Sequence, residues 1–214
     1  MDSGVRKTVF FLVLAVAVVV ALTFNKFNGK PALDTEALRE QGVVWYETPR
    51  TFVFNPLSEA GGETFTKDDL QDNWTLMYFG FTYCPDICPA TLANMAQMMK
   101  ELRAINSQVA EKVNVVLISV DPARDTPDKL ASYVDFFDES FTGVTGDDAN
   151  LKALSQQLNV AYAIVGDTET DDYLVEHSAQ VVLVNPRGDY QGFLRPPFKP
   201  KELADAMVKI DQAF

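Results

Sequence analysis

Imidazole and thiol groups are scarce in this chain: its 214 residues include one histidine, His177, and two cysteines, Cys84 and Cys88. That scarcity excludes a closed structural zinc site, which takes four nitrogen and sulfur ligands. Basic side chains are also few, 18 Lys and Arg against 30 Asp and Glu, for a formal net charge of -12. Such a field repels phosphates, so nucleic acid is excluded as a partner, as is anionic lipid beyond a membrane anchor. The sequence has no internal repeats and no low-complexity tracts. The acidic balance is read first as a device for solubility.

Polar residues are nearly missing from one stretch. Arg6 and Lys7 precede an apolar run from Thr8 to Phe24, close to the roughly 17-residue minimum of a spanning helix. The run is longer than a usual signal-peptide core, and its small-residue triplet Ala15-Val16-Ala17 falls in mid-run, where cleavage would be out of place. No Arg/Ser-rich amphipathic stretch precedes it, which argues against a transit peptide. The expectation is an uncleaved signal anchor: residues 1–7 cytoplasmic, 8–24 transmembrane, 25–44 a linker, and 45–214 one domain. That order places a single-pass protein in a bacterial inner membrane with its domain facing the periplasm.

Within the domain, Phe52-Val53-Phe54 and Glu63-Thr64-Phe65-Thr66, separated by Gly61-Gly62, read as a small hairpin. Trp74 to Phe81 and Val113 to Val120 are apolar but for Thr75, Asn114 and Ser119 and predict buried strands. Pro89 starts a helix with Leu92, Met95, Met99 and Leu102 on one face. Pro127 opens another with Leu130, Tyr133, Val134 and Phe137 inward, and Asp147-Asp148 cap a third through Leu151, Leu154 and Leu158. Strands follow at Tyr173–Val175, Val181–Val184 and Tyr190–Leu194, then a helix from about Pro200 to Ile210. The fold class is α/β with thioredoxin-like order, extended by the N-terminal hairpin and an insertion.

The two cysteines stand in Cys84-Pro85-Asp86-Ile87-Cys88-Pro89, directly after the first buried strand. Each precedes a proline, and such residues are pushed away from helical backbone angles. Pro89 is therefore read as the first helical residue and Cys88 as its N-cap, where the helix dipole would ease ionisation of the thiol. In an oxidising compartment the pair can form a disulfide, but so short a loop gives little stabilisation. Two soft thiolates with an imidazole suit copper, above all Cu(I). In a thioredoxin-like sheet the segment ahead of Val181 lies beside the end of the Trp74–Phe81 strand, which brings His177 toward the thiols. Glu176 or Asp121 then either fixes the ring's tautomer or is a solvated acid.

Phe79-Gly80-Phe81-Thr82-Tyr83 before the cysteine motif, Ser119-Val120-Asp121-Pro122-Ala123-Arg124-Asp125-Thr126-Pro127, and His177-Ser178 together resemble the Sco/SenC family over residues 45 to 212. That resemblance implies a membrane-anchored, thioredoxin-fold copper metallochaperone that helps assemble the dinuclear copper centre of cytochrome c oxidase. It implies Cys84, Cys88 and His177 as ligands of Cu(I) and Cu(II), Cys84 and Cys88 as a redox-active disulfide, and no catalytic turnover. The implied partners are the copper-bearing oxidase subunit and other periplasmic copper chaperones. Members often carry Asp before the ligand histidine; Glu176 keeps that charge on a longer arm. The alternative is a thiol-disulfide oxidoreductase reducing that subunit's cysteines, or a redox or copper sensor. Such reductases usually have Cys-x-x-Cys and a proline just before the strand that starts here at Val181. This chain has three residues between its cysteines and Ser178-Ala179-Gln180 before the strand. A thiol peroxidase fits less well, since Phe81 and Met77 occupy the positions of that loop's Thr/Ser and Pro.

Overall fold

The structure is a computed structural model. It describes residues 3–28, 32–166 and 173–214, with side chains for 4–20, 32–166 and 173–214. Two compact units are present, residues 34–211 and residues 1–33 with 212–214. In the smaller unit α1 (Ser3–Asn28) exposes every side chain from Gly4 to Val20, and so shows Val, Phe and Leu on all faces. Among the described residues no helix is long and apolar enough to cross a membrane. The expected span Thr8–Phe24 is helical, and the side chains of its last four residues, Ala21 to Phe24, lie outside the described residues.

In the larger unit the carboxylate of Asp34 accepts the N–H groups of Glu36 and Ala37 and so caps α2 (Thr35–Glu40). Strand β1 (Val43–Arg50) follows. Leu38 and Val43 are buried, so packed structure starts inside the segment expected to be a linker. β2 (Leu57–Ser58) and β3 (Thr64–Phe65) form a small antiparallel pair. The expected hairpin had placed its first strand at Phe52–Phe54. Those residues find other partners: the N–H groups of Val53 and Asn55 donate to Gln157 Oε1 and Asn150 Oδ1, and the same two amides donate back to their carbonyls. Side chains here replace a neighbouring strand, while Phe52, Phe54 and Phe65 stack ring on ring.

The remaining elements are β4 (Trp74–Gly80), α3 (Ile87–Ile105), α4 (Ser107–Ala110), β5 (Val113–Ser119), α5 (Pro127–Asp135), β6 (Phe141–Val144), α6 (Asp148–Gln157), β7 (Tyr162–Val165), β8 (Leu174–His177), β9 (Val181–Val184), β10 (Tyr190–Leu194) and α7 (Pro200–Ala213). Local chemistry starts the helices as expected: the Thr126 hydroxyl and the Asp147 carboxylate accept N–H groups at the heads of α5 and α6. Leu92, Met95, Met99 and Leu102 bury one face of α3, and Leu203, Ala206, Met207 and Ile210 one face of α7. In α5, Leu130 and Val134 are buried, whereas Phe137 lies past its end at Asp135.

One six-stranded sheet runs in the order β1-β10-β9-β4-β5-β6. β4, β5 and β6 are parallel, and β9, β10 and β1 add antiparallel pairings on the other side. All seven residues of central β4 are buried, as a strand apolar but for Thr75 requires. Parallel β4 and β5 joined through α3, a β9–β10 hairpin and the closing helix α7 make the thioredoxin-like arrangement. The β7–β8 pair forms a separate two-stranded insertion just ahead of β9.

Gly192 in β10 faces Trp45 of β1, and a Cβ there would lie 2.0 Å from the Val44 carbonyl oxygen. Backbone cannot yield as a side-chain tip does. Gly192→Ala is therefore expected to destabilise the protein by at least about 1–3 kcal/mol, read as a lower urea midpoint. An unchanged midpoint would show that β1 does not pack as described.

Candidate metal centre

β4 ends at Gly80, and the next six residues turn the chain into α3. Asp86 precedes the helix and Ile87 is its first residue, so Cys88 is inside the first turn and not its N-cap. The expected start at Pro89 is thus corrected by two residues. Proline is tolerated there because the first four N–H groups of a helix have no intrahelical acceptor. The Cys88 N–H points at the other sulfur, donating to Cys84 Sγ at 3.3 Å. Both cysteines are free thiols in this structure, Cys84 9% exposed and Cys88 fully buried. Burial pushes the Cys88 thiol up, and the neighbouring Cys84 adds to the rise. The dipole argument for an easily ionised Cys88 loses here, because removal of water from a thiolate outweighs the partial charge of a helix end.

Gly80 makes room for this sulfur. A Cβ at that position would sit 3.0 Å from Cys88 Sγ and 3.1 Å from Tyr78 Cε1. Tyr78 lines the same pocket from β4; its buried hydroxyl has no well-formed hydrogen bond among the described residues and lies near Cys88 and Thr91.

The imidazole arrives from the opposite side of the sheet's centre. β9 pairs antiparallel with β4, Val181 opposite Tyr78, so the residues just before Val181 meet the end of β4. His177 closes β8 and places Nε2 3.1 Å from Cys88 Sγ. Its Nδ1 lies 3.1 Å from the Ser178 carbonyl oxygen. A carbonyl only accepts, so the proton belongs on Nδ1 and the Nε2 lone pair faces the thiols. Tyr78 and Phe81 pack edge-on against the ring at 5.7 and 5.9 Å between centroids. Cys84 Sγ, Cys88 Sγ and a His177 ring nitrogen all lie within 4.8 Å of one another. Three donors so close, two of them sulfur, fit a soft or borderline ion of low coordination number. A cleft of about 330 Å³ lined by Tyr162, Glu176 and His177 opens beside the ring.

Among the described residues, neither of the two acids expected near the imidazole hydrogen-bonds to it. Glu176 is exposed on β8 and pairs across the hairpin with Ala163. Asp121, 1% exposed, accepts from Tyr173 Oη at 2.5 Å and from Arg124 Nε at 2.6 Å. The backbone of Ser178 holds the tautomer instead, a role that no residue type signals in a sequence. A second buried carboxylate, Asp125, accepts the Thr82 N–H and hydroxyl at 2.9 and 2.5 Å, the Ser119 hydroxyl at 2.7 Å and Lys129 Nζ at 3.1 Å. It ties the cysteine loop to the end of β5. Sequence reasoning missed Arg124, Asp125 and Tyr173 as supports; two acids and an arginine directly after a buried strand were the available signal.

Comparison with known proteins agrees with this geometry. Residues 53–212 match the model of the SCO1/SenC family. An SCO2-like protein of Rickettsia felis is 36% identical over 152 residues, covering 70% of this chain and 71% of that protein. The mitochondrial SCO2 homologue of Homo sapiens is 33% identical over 195 residues, 91% of this chain and 70% of the relative. Among solved structures, that of Arabidopsis thaliana ScoI with copper bound superposes with a TM-score of 0.66 at 34% identity, covering 75% of this chain and 99% of that one.

Burial holds the His177 imidazole below its ordinary 6.5, with the Ser178 carbonyl opposing in part. The unfolded chain then takes up this proton first as pH falls. The contribution to stability is complete above about 6.5 and declines as pH drops from there toward the folded value. No other histidine titrates in that window. The melting temperature of the metal-free protein is expected to fall between pH 7.5 and 5.5, and His177→Gln is expected to remove that fall. An equal fall in the variant would contradict the buried neutral imidazole.

Proposed function

The chain belongs to the SCO1/SenC family, and from that premise and the donor cluster we propose that it binds copper through Cys84, Cys88 and His177 as a metallochaperone in cytochrome c oxidase assembly. The carrying observation is the convergence of two thiols and an unprotonated Nε2 within 4.8 Å. Copper is the cargo. The two sulfurs supply a soft pair for Cu(I), and the imidazole adds the nitrogen donor that Cu(II) prefers. Cys88 enters as a neutral thiol and must give up its proton on loading, so uptake releases protons and weakens as pH falls. Cys84, nearer the surface, and the cleft beside His177 give the exit side toward a recipient, for which we propose the copper-bearing oxidase subunit, with other periplasmic copper chaperones as donors.

A thiol-disulfide exchange role has less support. Exchange needs an exposed thiolate, whereas both sulfurs are buried and Cys88 is held up by desolvation. The same pair oxidised to a disulfide would lose the metal, so redox state would govern loading.

The proposed location is a bacterial inner membrane, with α1 as the anchor and the domain facing the periplasm. Its support is the exposed apolar surface of α1 over residues 8–20, which water does not favour and lipid would cover. The expected outcome is that the full chain stays with membranes after a high-salt wash and keeps its first residues on mass spectrometry. A mature N-terminus between Ala15 and Lys30 would overturn the anchor.

Titration of the full chain in detergent tests the ligand set. Cys84→Ser or Cys88→Ser is expected to abolish both Cu(I) and Cu(II) binding. His177→Ala is expected to lower Cu(II) affinity by about 100-fold or more and Cu(I) affinity far less, with a shifted thiolate-to-copper absorption in the loaded variant. An unaltered spectrum in the His177 variant would remove that residue from the site. Prior oxidation of the thiols is expected to abolish binding reversibly, and unchanged affinity would rule out a dithiolate.

A further inference from the structure

The β7–β8 hairpin stands outside the main sheet, and a lone two-stranded hairpin is marginal in water. Yet it carries the imidazole, so something must fix its distance from the thiols. Alternate residues of a strand share a face: Tyr173 and Val175 are buried, Leu174 and Glu176 exposed, and His177 falls on the inward set. At the base of the hairpin, Ser178 N–H and hydroxyl bond back to Ala161, within the same insertion. Tyr173, at the other end of β8, reaches the body of the domain. Its ring lies 3.6 Å under the Arg124 guanidinium carbon, its carbonyl accepts from Arg124 Nη1 at 3.2 Å, and its hydroxyl donates to Asp121.

The same guanidinium faces the cysteine loop. It lies 4.9 Å from the Tyr83 ring, the residue before Cys84, and 5.9 Å from Phe81, whose ring packs on His177. Asp121 fixes it through Nε at 2.6 Å, with the Arg124 side chain 8% exposed. One planar group thus spans the loop that holds a thiol and the strand that holds the imidazole, a task for which the flat fork of arginine is suited and the point charge of lysine is not.

We propose that Arg124 is a positioning residue that latches the His177-bearing hairpin to the cysteine loop, so that the third donor is presented at binding distance before metal arrives. The proposal rests on the copper reading only for its consequence. Releasing the latch frees His177 but leaves the two sulfurs in place, so Cu(II) binding suffers and Cu(I) binding does not.

Amide hydrogen exchange and copper titration of the full chain in detergent test this, with wild type, Arg124→Lys and Tyr173→Leu. The second variant leaves the Arg124–Asp121 pair intact and keeps the test valid if the first folds poorly. In metal-free protein both variants are expected to exchange the amides of residues 162–165 and 174–177 at least about tenfold faster while those of β4 and β5 stay protected. Cu(II) affinity is expected to fall by about 10-fold or more, with weaker nitrogen hyperfine coupling in the copper resonance spectrum. Hairpin exchange equal to wild type, or a rise spread evenly over the sheet, would overturn the latch. Absence of copper uptake by wild type would overturn the copper reading instead, and the exchange comparison, made without metal, would still decide the latch.

Discussion

Everything at the candidate centre depends on the burial of β4 between a parallel neighbour and an antiparallel one. Because β5 runs parallel to β4, Gly80 and Ser119 end side by side, and the loops that follow bring Cys84, Asp121 and Asp125 to one edge of the sheet. Because β9 runs antiparallel to β4, the chain entering β9 passes that same edge and delivers His177. Residues 89 positions apart thereby meet at 3.1 Å. A one-residue slip in the β4–β9 register would turn inward faces outward and separate the donors.

The centre is built to hold its donors without water. Desolvation favours the protonated Cys88 thiol and the neutral His177 imidazole, so these two donors bury no charge in the metal-free state. Each donor has its own fixing contact: the Cys88 N–H for Cys84 Sγ, the space over Gly80 for Cys88 Sγ, and the Ser178 carbonyl for the ring. Carboxylates are kept one layer away, in Asp121 and Asp125, where each is satisfied by several donors. This separation leaves a soft sulfur-rich face for the ion and places the hard oxygen ligands in structural work.

The central strands β4, β5, β9 and β10, the longer helices of the domain and the convergence of Cys84, Cys88 and His177 were legible because each rests on a strong local signal: mostly apolar runs at 74–80 and 113–119, prolines and caps at helix heads, and one histidine with two cysteines in the whole chain, whereas β1, β6 and β7 were not read. What escaped was decided by tertiary contacts. Phe52–Phe54 has the composition of a strand, but Gln157 and Asn150, about a hundred residues away, take the backbone hydrogen bonds of Val53 and of the following Asn55. Cys88 was expected to cap α3 from the rule for residues before proline, and the helix instead begins two residues earlier. Asp121 and Glu176 were expected near the ring by their charge, whereas a backbone carbonyl, invisible to residue type, does that work. Arg124 lay in a recognised motif, but its partners Tyr173 and Tyr83 are distant in sequence and only the folded chain joins them.

X-ray absorption at the copper edge, on the full chain loaded with Cu(II), tests the central claim most directly. The account predicts two sulfur scatterers and an imidazole nitrogen in the copper shell, with the imidazole pattern lost in His177→Ala and both sulfurs retained. A shell made only of oxygen and nitrogen, or one that keeps its imidazole pattern in that variant, would contradict it, since the chain has no other histidine to supply one.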